Sequence, residues 1–507
     1  MDDSQCQEAP FGKLRNLLWP IYRHELKKLL PMFFIFFLIT FNYNILRTMK
    51  DTLVVTTNNS GAAVIPFIKL WFMFPGSIVM TLIYTRLNNR FSRETVFYLM
   101  VGGFLAFFVL FALLLYPNAD QLHFDGLALL LQGVLPVGFG GLISALKNWT
   151  FTSFYVMAEL WGNIILFVLM WGFTNQVTRI TEAKRFYAIF GVGINASGIL
   201  AGWLSGIISM REGSWENAMD ELILLVIGTG LAIVVLFRWL HVAVIKKEFV
   251  NGVATTSVRT EKKQKISLRE GLSFFTKSRY LLYLAVIVIA YNIVINLVEV
   301  VWKQQVRDLY PNKSDFNGYM SNITFVMGVI ATFTSLFISG ASIRKLGWAF
   351  TAMLTPFILF ATSVAFFGAL YFRYAHPEFL HALTGVGPLS FVVFLGSLQN
   401  VLSRAAKYTV FDATKEMAYV PLSDSVKTQG KAVIDGIASR LGKSGGSAIY
   451  QLLLLSFSSL TASIPYVAGF LFTAIALWMG ATRLLTQEYR TYTRDEEFEG
   501  GIARAEA

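Results

Sequence analysis

Lys50 and Asp51 are adjacent ionisable residues inside the first long apolar stretch, TFNYNILRTMKDTLVVTT. Further charges recur in or beside later apolar stretches: Lys69, Glu159, Glu299, Lys303 and Lys443. A charge held within a membrane span is costly unless it faces protein or water. A chain that carries several such charges reads as one that moves something polar or charged, not as a soluble enzyme. If one helix runs from 31 to about 56, Arg47, Lys50 and Asp51 share a side, being three and four residues apart. The competing reading ends that helix at Asn44 and leaves the charges among lipid headgroups. In YNIVINLVEVVWKQQV, Glu299 and Lys303 are spaced i, i+4 with the acid first, the favourable order for a helical pair. With Asn292 and Asn296 they form a polar stripe that mirrors Asn44, Arg47, Lys50 and Asp51. A structural salt bridge and a transport role are both open for that pair.

Glu159, flanked by apolar residues in FYVMAELWGNIILFVLMWG, suits a proton site, a cation ligand or a partner for a buried lysine. Lys443 stands in ASRLGKSGGSAIY, which resembles part of a phosphate-binding loop. The full pattern GxxxxGK[ST] needs glycine at 437, where Ile437 stands beside Gly436, and no preceding strand is evident, which argues against ATP hydrolysis. A lysine beside small residues and helix N–H groups still suits a phosphate; close-packing glycines after a basic loop end are the alternative. Lys147 follows a Gly-rich window, and Arg404 and Lys407 occupy a comparable place in the second half. With Lys50, Lys69, Lys303 and Lys443 they predict a positive cavity suited to an anion, and Trp149, Tyr155, Trp161 and Tyr408 interleave as candidates to stack on a base.

The elements that must position these residues are membrane helices. The chain has 507 residues, 55% hydrophobic and 15% charged, with 45 phenylalanines; a soluble domain carries about 25% charged residues. The single cysteine, Cys6, allows no disulfide within the chain, and five scattered histidines suggest no metal cluster. The first 30 residues do not form a convincing signal peptide; 14–30 reads as an interfacial helix or a plain basic leader. The net charge of +12 lies largely in loops, where the positive-inside rule accounts for it without nucleic acid. Thirteen apolar windows occur: 31–52, 62–85, 95–116, 127–146, 154–176, 186–209 and 221–243 before a polar stretch at 246–270, then 280–301, 319–340, 349–372, 385–402, 444–461 and 464–482. Basic loops at 86–93, 179–185, 246–270, 344–345 and 427–440 alternate with acidic or neutral ones at 120–125, 212–221, 308–315 and around Glu378, which puts both termini in the cytoplasm. Residues 117–179 run from an acidic loop to a basic one and must cross an odd number of times. One of the two windows there is therefore a partial or broken helix buried in protein, and 127–146, with Pro136, Gly138, Gly140 and Gly141, is the candidate.

The expectation is an all-α polytopic membrane protein of about 12 transmembrane helices in two six-helix halves around a central cavity, a major-facilitator-like architecture. Its parts are a cytoplasmic segment 1–30, a first half 31–245, a cytoplasmic linker 246–279, a second half 280–482 and a cytoplasmic tail 483–507. Residue chemistry reaches a secondary transporter with an anion-friendly cavity; sugar phosphates, nucleotides and carboxylates all remain open as cargo.

Six stretches, YNILRTMKDTLVVT, FYVMAELWG, NQVTRITEAKRFYAIFG, NLVEVVWK, KYTVFDATKEMAYVPL and GKSGGS, closely resemble the nucleotide transporters, or ATP/ADP translocases, of obligate intracellular bacteria and plastids. The resemblance runs over 29–488. It implies import of host ATP in exchange for ADP across a bacterial inner membrane, with phosphate moving in some members and proton-coupled uptake of a broader nucleotide range in others. It implies no chemistry on the nucleotide, no cofactor and no nucleic-acid partner. By motif, the family's two lysines and two glutamates within spans fall on Lys50, Glu159, Glu299 and Lys443. One chain holds both halves of a cavity, which fits a functional monomer surrounded by lipid.

Overall fold

The computed structural model describes residues 21–505 apart from 58–60, 179, 212–213, 246–277, 338, 423–425, 427–429, 432 and 458. Most of the linker expected at 246–279, and the first twenty residues of the expected N-terminal segment, lie outside the described residues. Among the described residues the structure is helical throughout. Eleven helices are long and apolar enough to span a membrane: α1 Arg23–Thr56, α2 Gly61–Arg90, α3 Arg93–Leu115, α6 Trp149–Val177, α7 Arg185–Arg211, α8 Trp215–Ala243, α9 Arg279–Leu309, α10 Lys313–Leu336, α11 Gly347–Ala375, α12 Pro388–Ala418 and α14 Leu460–Thr491. A further helix, α13 Ser439–Phe457, completes two sets of six. Its first turns, SRLGKSGGS, make it the least apolar of the twelve.

Two shorter helices, α4 Asp125–Val134 and α5 Val137–Lys147, interrupt the first set. They resolve the parity of 117–179. The chain leaves helix at Leu135 and Pro136, both extended in ψ, and the two arms fold back so that Phe124 N–H donates to the Lys147 carbonyl at 3.1 Å. A segment whose two ends touch returns to the side it left and crosses nothing. The break falls where Pro136 and the glycines predict it. The expectation that the segment is buried does not hold for its first arm: Leu129 and Leu130 are each 70% exposed and Val134 80%.

Local sequence explains several helix starts. Ser92, Ser214 and Ser278 cap α3, α8 and α9, each side chain accepting from a backbone N–H three residues on. Gly347, at φ +78°, supplies the left-handed turn from which α11 starts. The helices outrun their apolar windows where they carry charge inward: α9 continues past Glu299 and Lys303 to Leu309, and α12 past Arg404 and Lys407 to Ala418.

Large side chains such as Trp161, Trp302 and Trp478 are buried between helices, while Leu113, Phe167, Leu224 and Leu452 lie outward, as lipid contact requires. The two sets meet most closely where α7 crosses α10. A Cβ on Gly202 would come within 2.4 Å of the Phe325 backbone nitrogen, and one on Gly328 within 2.6 Å of the Ile199 nitrogen. With little hydrophobic drive between helices in lipid, small residues that let backbones approach are what hold such a crossing.

Candidate functional site

Seven cations and four carboxylates gather in the interior, drawn from both sets of helices. On α1, Lys50 Nζ lies 3.1 Å from Asp51 Oδ1, 3.4 Å from Glu159 of α6 and 3.7 Å from the centroid of the Tyr155 ring. Asp51 then crosses to the second set: its Oδ2 lies 2.8 Å from Lys303 Nζ on α9. Lys303 donates to Glu299 at 2.9 Å, the i, i+4 pair expected from sequence. Glu299 receives two further cations, Lys69 of α2 at 3.2 Å and Arg404 of α12 at 3.4 Å. Lys69 also donates to Asn296 Oδ1 at 2.6 Å. The result is one chain of charges, Glu159–Lys50–Asp51–Lys303–Glu299, with two links that join the halves: Asp51–Lys303 and Glu299–Lys69.

Three cations are not tied into ion pairs among the described residues. Lys443 is exposed, with Glu159, Lys69, Lys407 and Tyr408 in electrostatic range. Arg47, half-buried, faces Tyr43, Glu299, Asp51 and Tyr408. Lys407 sits 4.7 Å from the Tyr408 ring centroid, with Asp412 nearby. Counting Asp412, seven cations against four carboxylates leave three positive charges in excess. In a cleft walled by low-dielectric helices, such a surplus attracts a polyanion.

Of the six π-helical segments among the described residues, two, Phe111–Leu115 and His241–Ile245, lie away from these charges, and four lie at or next to them. Turns of π-helix run over Ile68–Met73, Trp161–Met170, Lys407–Phe411 and Ile434–Ala438. They contain Lys69, follow Glu159, begin at Lys407 and precede Lys443; inserted turns of this kind are frequent at functional sites.

The sequence-predicted residues divide cleanly. Lys50, Asp51, Glu159, Asn296, Glu299, Lys303 and Arg404 are joined directly, and Arg47, Lys407 and Lys443 line the same space. Asn292 donates to its own Val288 carbonyl and packs against Gly442, where a Cβ would come within 2.7 Å. Lys147 is not part of the site. It pairs with Asp125 at 2.5 Å at the base of the α4–α5 hairpin, because the hairpin returns it to the surface of the bundle. The phosphate-loop likeness at 442–447 also changes meaning. The π-turn Ile434–Ala438 leads straight into α13, so Lys443 lies inside a helix and its neighbours' N–H groups are not at a free terminus. Gly442 and Gly446 serve the close approach of α13 to α9. Tyr43, which sequence reasoning passed over, also borders the cleft beside Arg47, Lys50 and Glu159; the signal was its spacing of i, i+4 from Arg47, a spacing that Asn163 repeats from Glu159.

The cleft is closed at one end. Thr52 donates to Asn317 at 3.0 Å, Asn317 to Ser209 at 2.7 Å and Ser321 to Ser205 at 2.9 Å. Ala62 N–H donates to Gln304, and Gln451 to the Pro66 carbonyl. Gly138 in the α4–α5 hairpin packs directly on the Leu454–Leu455 backbone. Every hydrogen bond and ion pair between the two sets of described helices lies from the charge network toward this hairpin end. On the other side, toward the chain termini, Tyr408 is 45% exposed and Lys443 is open.

Two sets of six helices, eleven of the twelve long and apolar enough to span a membrane, with a charged cleft between the sets and closure at one end only, describe a polytopic membrane transporter. Solved structures agree on the fold: a bacterial ferroportin homologue matches with a TM-score of 0.57 at 14% identity, covering 92% of this chain and 99% of that one, and the xylose transporter XylE from E. coli with 0.54 at 13%, covering 92% and 98%. The chain belongs to the TLC ATP/ADP transporter family, which matches residues 4–489. It is 43% identical to ADP,ATP carrier protein 1 of Chlamydia muridarum over 99% of this chain and 96% of that protein, and 44% identical to that of Chlamydia pneumoniae over 95% of each. A chloroplastic ADP,ATP carrier protein of Arabidopsis thaliana is 39% identical over 95% of this chain and 77% of its own.

Proposed function

We propose that this chain exchanges external ATP for internal ADP by alternating access, as a secondary transporter and not an enzyme. The observation that carries the reading is the inter-half cleft with a surplus of three cations, in a chain of the TLC ATP/ADP transporter family. Arg47, Lys443 and Lys407 hold phosphate oxygens by charge-assisted bonds. Lys50 and Lys303 are held by Asp51, Glu159 and Glu299 while the site is empty. When nucleotide enters, its phosphates compete for Lys50, and the carboxylates change partners.

The setting is a bacterial inner membrane. The basic loops at the termini end support a cytoplasmic side for it; on that reading the conformer is closed outward and open inward. The division into 1–30, 31–245, 246–279, 280–482 and 483–507 belongs to this proposal, as does a functional monomer in lipid, since one chain supplies both halves.

The test is uptake of labelled ATP into liposomes holding purified protein, with and without internal ADP. Uptake that requires internal ADP supports exchange. Uptake into empty liposomes refutes it, and uptake raised by an imposed proton gradient replaces it with symport. Labelled phosphate beside ADP reads co-transport in the same assay.

A further inference from the structure

Three helices that carry the charge network share an ordering. On α1 the sequence from the hairpin end toward the termini end is Lys50, Arg47, Tyr43; on α6 it is Glu159, then Asn163; on α12 it is Arg404, then Lys407 and Tyr408. On α1 and α6 the deep charges Lys50 and Glu159 are followed one to two helical turns nearer the opening by Tyr43 and Asn163; on α12 Arg404 is the deep charge, and Lys407 and Tyr408 lie together one turn further out. Tyr43 and Lys50 are seven residues apart, which is about 10 Å along the helix, close to the reach of a nucleotide from base to terminal phosphate.

Tyr43 and Tyr408 face one another from opposite halves, and the α6 turn that receives Tyr43 carries Asn163. A Cβ on Gly162 would come within 2.8 Å of the Tyr43 ring, so the ring packs against α6 at Gly162, the residue before Asn163. Tyr43 and Tyr408 are in electrostatic range of one another and of Arg47, yet their rings do not touch. Among the described residues neither hydroxyl and not the Asn163 amide has a hydrogen-bond partner. Two unpartnered tyrosines beside uncommitted cations, with an unpartnered amide one turn on from Glu159, describe a ligand surface.

Resting on the reading as a nucleotide transporter, we infer that Tyr43, Tyr408 and Asn163 form the nucleobase subsite, with the purine toward the opening and the phosphates deep. The two rings offer stacking faces from opposite halves, so the base bridges the halves as the phosphates do. The Asn163 amide matches the donor–acceptor edge of adenine, a pairing that amides make with N6 and N7. Guanine, with O6 in place of the N6 amino group, presents two acceptors there and fits it less well.

The test uses full-length protein in liposomes and two competitors of labelled ATP exchange: unlabelled ATP, which carries the base, and tripolyphosphate, which lacks it. In Tyr43→Leu and Tyr408→Leu the half-inhibitory ATP concentration is expected to rise about tenfold, the effect of one lost base–aromatic stack. Inhibition by tripolyphosphate should stay within about twofold in both, since charge-driven contacts are untouched. Tyr43→Phe and Tyr408→Phe should retain ATP affinity, and Asn163→Ala should narrow the preference for ATP over GTP. Equal weakening of ATP and tripolyphosphate, or unchanged ATP affinity in both leucine variants, overturns the subsite. Wild-type protein that exchanges no nucleotide refutes the transport reading itself, before any variant is compared. Photolabelling of wild-type protein with 8-azido-ATP gives an independent readout that needs no variant to fold. Adducts on peptides containing Tyr43, Asn163 or Tyr408 support the subsite, and adducts confined to other helices overturn it.

Discussion

Replacing Lys303 by methionine should unlock the closed end of the cleft. Lys303 and Asp51 are each at most 1% exposed and face each other across the two halves at 2.8 Å. Removing one partner of a buried pair costs about 3–5 kcal/mol because the other charge is left uncompensated. Here the loss falls at the lower end. Asp51 keeps Lys50 at 3.1 Å, and Glu299 keeps Lys69 and Arg404. Asp51 Oδ2, however, has no hydrogen-bond partner of its own and loses its neighbouring ammonium. About 3 kcal/mol corresponds to roughly a hundredfold shift away from the closed end. The readout is a disulfide between Ser205→Cys and Ser321→Cys, whose oxygens are 2.9 Å apart across the α7–α10 seam. The chain has one native cysteine, so Cys6→Ala gives a clean background. Cross-linking should be rapid with Lys303 present and fall steeply in Lys303→Met, and the swap Asp51→Lys with Lys303→Asp should restore part of it. Cross-linking that is equally fast in Lys303→Met would refute the reasoning.

Other outcomes separate cargo-binding groups from structural ones. Lys443→Ala removes an exposed cation without a salt bridge, so ATP affinity should fall at least tenfold by titration calorimetry while the melting temperature stays within a few degrees. Glu299→Gln removes the carboxylate shared by Lys303, Lys69 and Arg404; exchange should drop steeply, and unchanged kinetics would take Glu299 out of the mechanism. Gly202→Ala forces a methyl into the Phe325 backbone, an overpacking that costs about 1–3 kcal/mol and should lower both melting temperature and exchange rate. Lys147→Gln breaks only the surface pair with Asp125. Such pairs are worth about 1 kcal/mol or less, and ATP exchange should be unchanged within error.

Charges in apolar stretches were legible because lipid makes each one expensive. Lys50, Asp51, Glu159, Glu299 and Lys303 therefore stood out singly, and helical spacing alone joined Glu299 to Lys303. Loop charge and parity also located the break in 127–146 before any coordinates. What sequence did not show was partnership across the halves. Asp51 meets Lys303, 252 positions away, through the packing of α1 on α9, and no local pattern encodes that pairing. Lys147 misled for the same reason: its place after a glycine-rich window matched that of a cavity cation, but the hairpin carries it back to Asp125. GKSGGS was read as phosphate chemistry or as packing. Only the α13–α9 contact shows that Gly442 and Gly446 pack while Lys443 faces the cleft.

The placement of the ion pairs also bears on why transport should be an exchange. To open outward, the empty protein must separate Asp51 from Lys303 and Lys69 from Glu299, together with the Thr52, Asn317, Ser205 and Ser209 hydrogen bonds. Asp51 keeps Lys50, and Glu299 keeps Lys303 and Arg404, within their own halves, but the contacts made across the halves are lost, and the empty reorientation bears that cost. A bound polyanion offers phosphate oxygens to Lys50, Lys69 and Lys303 as the carboxylates let go, and the loaded protein reorients more easily. Neutralising both members of the buried pair should remove much of that difference. Asp51→Asn with Lys303→Met is therefore expected to release labelled ATP from loaded liposomes without any external nucleotide, at a rate approaching its exchange rate, whereas the parent releases it at least tenfold more slowly than it exchanges. A double variant that remains strictly dependent on external nucleotide would place the barrier to empty reorientation elsewhere, and the Ser205–Asn317–Ser321 cluster would be the next contact to open.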